Sequence, residues 1–292
     1  MFTDAKGREV PAPDFGDVPI ADTHAHLDML EDPIAALVNA ARVGVGFIAT
    51  VVDPTEDASR TYQELPAWLA AAGALLASEG SASVAIAPPH IRVIVGVHPH
   101  NAKDFSAEVE ARMRELAADP LTSAIGETGL DYHYDRSPRE VQRAVFRRQL
   151  ELAHELMLPV AIHLREAHDD GEAILADVGV PSEGCILHCY NLGPQEMQPF
   201  LAMGCYVSFA GPVTFKKSAG VREAAALVPA QRLLTETDCP FMAPEPFRGR
   251  TNESAYTVFT AATIAEARGE ELPVFASAAY ANALRVLDRE RS

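Results

Sequence analysis

Two histidines, His24 and His26, stand two residues apart, directly after the apolar-leaning run 18–21. Along an extended strand, side chains at i and i+2 point to the same face, so both imidazoles would project from one strand end. Imidazole is a common ligand of zinc and similar divalent ions, and a same-face pair can hold one ion. Because histidines at this spacing are often only solvated, the pair alone is a weak indication of a metal site.

Four further side chains that can bind metal follow the ends of other apolar runs. They are Glu127, His163, His188 and Asp238. Taken singly, each has an ordinary explanation, such as a hydrogen-bonded core histidine or a turn carboxylate. Isolated buried charges are costly, so a cluster of such groups predicts a compensating cation or dense hydrogen bonding. Two divalent ions that share a bridging carboxylate would satisfy all six groups, and such a pair can activate a water.

The elements that would bring these groups together are short apolar runs, each followed by a helical pattern. We predict eight strands, at about 18–24, 45–51, 91–97, 122–127, 159–163, 185–188, 205–209 and 232–238. Continuous Val, Ile and Leu runs are typical of a parallel sheet buried on both faces. Eight such units in about 270 residues match an α/β fold, the closed (β/α)8 TIM barrel, whose active sites lie at the C-terminal ends of the strands. An open doubly wound sheet is the alternative, but its Gly-rich phosphate turn is missing after the first strand.

Helical patterns fill the intervals between the predicted strands. Asp32 is a good N-cap and Pro33 suits a first turn, so the first helix should begin there. The predicted helices lie at 32–42, 56–79, 106–118, 138–157, 168–178, 194–203, 219–228, 253–268 and 273–289. Residues 80–89 should form a loop. Residues 1–17 should form an N-terminal arm, and 18–292 a single barrel domain.

Composition narrows the class of protein. The formal charge of −17 argues against a broad electrostatic grip on duplex nucleic acid, although an enzyme can still meet phosphate through bound cations. No run approaches the ~20 apolar residues of a membrane helix, and no secretory signal is visible. Four scattered cysteines are too few for a disulfide scaffold. We therefore expect a cytoplasmic protein with reduced thiols, no membrane contact and no obligatory protein partner.

Six motifs run nearly from end to end and together form a specific signature. They lie at 22–28, 96–100, 125–132, 149–163, 234–240 and 248–253. In these motifs the chain resembles the TatD family of metal-dependent deoxyribonucleases, within the amidohydrolase-like barrels. The resemblance implies a 3'-5' exodeoxyribonuclease-like hydrolase that cleaves phosphodiester bonds in single-stranded or end-frayed DNA with a metal-activated water.

The resemblance also implies how the six groups divide between two ions. One ion would be bound by His24, His26, Glu127 and Asp238. The other would be bound by Glu127, His163 and His188, so that Glu127 bridges the pair. Asp238 would also accept a proton from the attacking water. Asp238, as this proton acceptor, and Glu127, as the bridging ligand, are the predicted catalytic residues. Mixed imidazole and carboxylate ligands suit Zn, Mn, Fe or Ni, and Mg suits a His-rich position less well.

Four further residues are predicted to contact substrate. His98 and His100 follow the third strand, in a turn that the resemblance places beside the substrate; otherwise they are solvated or support other residues. Arg165 lies two residues after His163, so it could face the same way and bind a phosphate bidentately; otherwise it forms a surface salt bridge. Tyr132 could stack on a base or sugar, or simply pack. We also expect a locally positive mouth, with contributions from Arg165, Lys216, Lys217, Arg248 and Arg250.

The chain departs from the family pattern at 189–193, after His188, and its 54–90 connection is long. These departures affect the expected substrate more than metal binding. The same site could act on a small amide, ester or lactone instead, since this fold supports many chemistries. A barrel used only for binding is the third alternative, and the six intact ligands argue against it.

Overall fold

The computed structural model describes residues 1–56, 58–79 and 86–288. Two short strands, β1 (Phe2–Thr3) and β2 (Glu9–Val10), form an antiparallel hairpin, and eight parallel strands follow. They are β3 (Ile20–Ala25), β4 (Val45–Val52), β5 (His90–Val95), β6 (Thr122–Asp131), β7 (Val160–Arg165), β8 (Cys185–Leu187), β9 (Tyr206–Phe209) and β10 (Leu233–Thr235). Neighbouring strands pair in sequence order from β3 to β10. The predicted TIM barrel is confirmed.

Helices follow the strands in the described residues. They are α1 (Pro33–Arg42), α2 (Ala58–Glu79), α3 (Ala107–Ala117), α4 (Arg139–Leu156), α5 (His168–Val178), α6 (Pro194–Ala202), α7 (Ala219–Leu227), α8 (Thr257–Arg268) and α9 (Leu272–Leu287). As predicted, Asp32 caps α1: its Oδ1 accepts a hydrogen bond from the Ala35 N–H at 2.9 Å. Part of the predicted loop at 80–89, and the end of the last predicted helix, lie outside the described residues. No described helix has both the length and the apolar character needed to cross a membrane.

Alternate residues along each strand face the barrel interior, as the period of an extended chain requires. Ala49 and Val51 of β4 belong to the interior cluster, and Val286 of α9 packs into the same cluster. At the end of α9, Asp288 makes an ion pair with Arg92 near the start of β5, at 2.6 Å. Helix α9 therefore closes the barrel at the end where the strands begin, opposite the predicted site.

The barrel closes between its first and last strands, β3 and β10. The Asp22 carboxylate accepts hydrogen bonds from the Thr237 N–H at 2.8 Å and from its hydroxyl at 2.6 Å. Just beyond, the Asp238 N–H donates to the His24 carbonyl at 2.9 Å. The ladder of β10 ends at Thr235, before the predicted boundary, and beyond it the Thr237 N–H bonds to the Asp22 side chain instead of a backbone carbonyl. His24 and Asp238 consequently lie at the same end of the barrel.

Strand β6 continues past residue 127, where we expected it to end, and stays paired with β7 as far as Asp131 and Arg165. Gly129 permits this close approach. A Cβ at this position would overlap the His163 carbonyl oxygen, and the φ of +139° also favours glycine. The extension brings residues of two strand ends together at the mouth.

The predicted N-terminal arm packs against the barrel. The Phe2 ring lies 5.3 to 5.7 Å, centroid to centroid, from the rings of Phe247, Tyr256 and Phe259. The Arg250 guanidinium donates to the Thr3 carbonyl of the hairpin. The boundary between an arm at 1–17 and a domain at 18–292 stays a prediction.

Replacing Gly129 should disturb the β6–β7 pairing more than replacing an exposed glycine. We expect Gly129→Ala to lower the free energy of unfolding by about 3 kcal/mol, because the methyl group meets fixed backbone. Gly269→Ala is the matched control: its φ is also positive, at +66°, but nothing lies within 4 Å of its Cβ position. It should cost about 1 kcal/mol. Chemical denaturation measures both values, and equal losses would contradict the role of close approach.

Candidate metal centre

All six predicted ligands lie at one mouth of the barrel. They are His24 in β3, Glu127 in β6, His163 in β7, and His26, His188 and Asp238 just after strand ends. All except His24 line a single cavity of about 610 Å³. Convergence at this end follows from the topology, because the C-terminal ends of parallel barrel strands meet at one face.

Glu127 lies between two sets of donors, and each of its oxygens faces one set. Oε2 lies 3.2 Å from His24 Nε2 and 3.9 Å from His26 Nε2. Oε1 lies 2.7 Å from His163 Nδ1 and 3.4 Å from His188 Nε2. The family resemblance predicts a bridging carboxylate at this position, and the assignment of ligands to each ion stays a prediction.

Asp238 completes the first set. Its Oδ1 lies 3.5 Å from His26 Nε2 and 4.0 Å from His24 Nε2. The three ligand atoms all lie within 4.8 Å of one another, which is close enough to surround one ion. Asp238 is only 8% exposed but still lines the cavity.

His98 is predicted to contact substrate, but it lies close enough to the second set of donors, beside Glu127 Oε1, to be a metal ligand as well. Its Nε2 is 3.5 Å from Glu127 Oε1, and with Glu127 and His163 it forms a second group of potential ligands. His100 lies further out, with its Nε2 3.0 Å from Asp131 Oδ2. Both histidines line the cavity, so both remain in reach of a substrate.

Two carboxylates that we did not single out hold the histidines from behind. Glu236 is fully buried, with its Oε1 2.8 Å from His188 Nδ1, and it also accepts the Cys189 N–H at 2.7 Å. Asp131 Oδ2 lies 3.3 Å from His163 Nε2. Carboxylates behind metal-binding histidines fix the ring orientation and raise ligand basicity. The bond to Cys189 also anchors the segment 189–193, where the sequence departs from the family pattern.

Both carboxylates between the histidines are held in the ionised form. Burial raises the pKa of Glu127, but the charge on His188 and other rings outweighs it and holds the pKa well below its ordinary value. For Asp238, burial also raises the pKa, but the hydrogen bond from His26 and the charges of His188 and His24 together outweigh it, so that the pKa is lowered. The metal-free site therefore contains carboxylates that need cationic partners.

Two histidines supply that charge when no metal is bound. Burial lowers the pKa of His188, but the carboxylates of Glu236 and Glu127 outweigh it and raise the pKa to about 10. Burial likewise lowers the pKa of His163, and hydrogen bonds to Asp131 and Glu127 raise it to about 9. Divalent ions would supply the same charge and leave the rings neutral. The donor chemistry of these residues therefore fits divalent metal ions.

The structure does not bring every predicted substrate residue into the cavity. Arg165 lines it, together with Arg136, which we had not singled out. The Tyr132 hydroxyl instead donates to Asp170 Oδ2 at 2.5 Å, away from the cavity, and Tyr134 lines the cavity in its place. The turn after β6 directs the Tyr134 ring, and not the Tyr132 ring, into the cavity. No periodic pattern in the sequence indicates which of the two tyrosines faces the site.

The predicted positive mouth is also smaller than expected. Of the five cationic residues named for it, only Arg165 lines the cavity. The guanidinium of Arg250 donates to the carbonyls of Thr3 and Asp4 and so secures the N-terminal hairpin. Arg248 stacks over the Phe215 ring, 4.3 Å from its centroid.

The position of Glu236 behind His188 yields a testable consequence for metal affinity. We expect Glu236→Gln to weaken binding of Zn²⁺ or Mn²⁺ about 10- to 100-fold, because the neutral amide no longer orients and polarises the ring. Chelator competition with the metal-free protein measures the change. Glu223→Gln, at an exposed position on α7, is the control and should bind as the wild type does. Equal affinities in all three proteins would contradict the role of Glu236.

Comparison with known proteins agrees with the site. The family model described as TatD related DNase matches residues 21–288. The chain is 42% identical over 196 residues to the metal-dependent hydrolase YabD of Bacillus subtilis (strain 168). This match covers 67% of this chain and 77% of YabD. It is 37% identical over 196 residues to the 3'-5' ssDNA/RNA exonuclease TatD of Erwinia billingiae, with 65% and 75% covered.

A solved structure extends the likeness to nearly the whole chain. The TatD homologue YJJV from Escherichia coli K12 superposes with a TM-score of 0.80 at 25% identity, over 93% of this chain and 98% of that one. The resemblance drawn from the six motifs is confirmed. The chain belongs to the TatD related DNase family of metal-dependent hydrolases.

Proposed function

We propose that this protein is a two-metal deoxyribonuclease that hydrolyses phosphodiester bonds near the ends of single-stranded DNA. The observation that carries the proposal is the division of Glu127: one oxygen faces His24 and His26, and the other faces His163 and His188. Two ions bridged in this way would supply an activated water and stabilise charge on the attacking and leaving oxygens.

The side chains of the chain perform the remaining steps. Asp238 lines the cavity as an ionised carboxylate, so it can accept the proton that the attacking water loses. Glu127 holds the two donor sets at a fixed separation. Arg165, at the mouth, can bind a non-reacting phosphate oxygen of the substrate bidentately.

Two observations favour DNA over a small amide, ester or lactone. The relative from Erwinia billingiae is named a 3'-5' ssDNA/RNA exonuclease. In addition, Arg136 and Arg165 line the cavity of a chain with a net charge of −17, where cations serve to attract phosphate.

The native ions and the compartment are also proposals. Zinc, manganese, iron or nickel suit the mixed imidazole and carboxylate donors, and magnesium suits them less well. The four cysteines are all free thiols, which supports a cytoplasmic location.

Metal binding should release protons and strengthen as pH rises from 7 to 9. The raised pKa values, about 10 for His188 and about 9 for His163, mean that protonation stabilises the metal-free fold below pH 6.5. This contribution is lost as pH rises through 9 to 10, so protons compete less with the ion. The affinity for Mn²⁺ should rise up to about tenfold per pH unit for each proton released.

Calorimetric titrations of Mn²⁺ in buffers of different ionisation enthalpy count the protons. The Glu236→Gln protein should release fewer, because its His188 has lost a neighbouring charge. An affinity that does not change with pH would contradict this account.

Hydrolysis should depend on the two carboxylates of the site. With Mn²⁺ or Mg²⁺, the wild type should shorten an end-labelled single strand, and Glu127→Ala and Asp238→Ala should slow it about 100- to 10,000-fold. Glu223→Ala, outside the cavity, should match the wild type. Hydrolysis of lactones or amides with none of DNA would support the alternative substrate class. Protein that retains no metal and hydrolyses nothing would instead indicate a binding barrel.

A further inference from the structure

The rim of the cavity has an apolar half, which is formed by the segments after β3 and β10. Met29, Phe241 and Met242 line it and are 47%, 50% and 37% exposed. The Phe241 ring meets the His26 ring edge to face, with centroids 6.0 Å apart. Asp28 lines the cavity on this side as well. Large side chains that stay exposed beside a catalytic cavity are available for contact with an apolar part of a substrate.

A cationic half is formed by the segment after β6 and the end of β7. Arg136 and Arg165 both stack on the exposed Tyr134 ring, with 5.4 Å and 4.7 Å between guanidinium and centroid. Within the described parts of the chain, neither guanidinium makes a hydrogen bond or ion pair, whereas Arg114 and Arg148 both pair with Glu110. The two rim arginines therefore have donors available for phosphate oxygens.

The two halves face each other across the donor groups. In the strand order, β6 and β7 lie three or four places from β3 and β10, which is the far side of an eight-stranded barrel. The ring contacts agree: Phe241 adjoins His26 of the first donor set, and Tyr134 adjoins His100, 5.4 Å away, beside the second set. A strand bound across the metal centre would meet both halves.

We propose that the apolar half binds the base of the terminal nucleotide that is removed, and that the cationic half binds the backbone of the strand that remains. This rests on the proposed nuclease function. Base stacking on aromatic rings is tolerant of sequence, and Phe241 offers such a ring. Arg136 and Arg165, held over the Tyr134 ring, bind the phosphates of the strand that remains.

This division explains why cleavage would start at an end. Among the described residues that line the cavity, the only arginines or lysines are on the cationic half, and the apolar half carries Asp28. A strand that continued past Phe241 would place its phosphates beside this carboxylate, without a cation. The nucleotide on that side is therefore the last one of its strand.

Binding measurements separate the two halves. Fluorescence anisotropy with the metal-free protein and a labelled oligothymidylate gives the slope of log affinity against log salt concentration. Arg136→Ala and Arg165→Ala should each reduce the slope by about 0.7, the value for one lost phosphate contact on a single strand. Phe241→Ala should weaken binding with no change of slope. Arg147→Ala, which removes an exposed arginine paired with Asp177 outside the cavity, should leave the slope unchanged.

Cleavage of abasic substrates identifies which base Phe241 contacts. Removal of the terminal base should slow the Mn²⁺-loaded wild type about 5- to 150-fold, the range expected for one lost stacking contact. Phe241→Ala should cleave intact and abasic strands at the same reduced rate, and Phe241→Tyr should restore the difference. Independent effects of the two changes, or unchanged salt slopes in the arginine variants, would overturn the division while leaving the nuclease function intact. A wild type that cleaves no oligonucleotide would overturn the proposed function, and the division with it.

Discussion

A carboxylate buried at the centre of a barrel must be compensated, and much of this site follows from how the chain does so. Glu127 is only 4% exposed, and its neighbours are imidazoles from several strands. An unpaired charge in such a place costs several kcal/mol. The rings that would bind metal therefore also stabilise the metal-free fold, because they are the counterions of the same carboxylate. Catalytic and structural requirements select the same residues.

The joint between β3 and β10 determines whether these residues can meet. Parallel strands need only backbone pairing over most of the barrel, but here side chains complete the closure. The Asp22 carboxylate holds the Thr237 backbone and hydroxyl, and this turns Asp238 towards His24. A shift of this joint would separate the ligands of the first set without altering any of them. The buried Asp22 is thus connected to the site although it does not line the cavity.

The sequence predicted the parts of the site that follow from strand period and topology. Strand ends of a parallel barrel converge, so polar residues at those ends had to lie together. Glu236 and Asp131 share this signal, since Glu236 lies two residues before Asp238, just after β10, and Asp131 lies four residues after Glu127 on β6. A buried carboxylate behind a ligand nevertheless resembles an ordinary turn residue in sequence. Tyr134 and Phe241 lie beyond the strands, where turn geometry decides which ring faces the cavity.

The closed end of the barrel determines how substrate enters the site and how product leaves it. Because Val286 of α9 packs into the interior cluster, the described barrel is filled at the end opposite the ligands. Water, ions, substrate and product consequently enter and leave through the same mouth of the barrel. For a strand substrate, the released nucleotide leaves through the same opening by which the shortened strand advances.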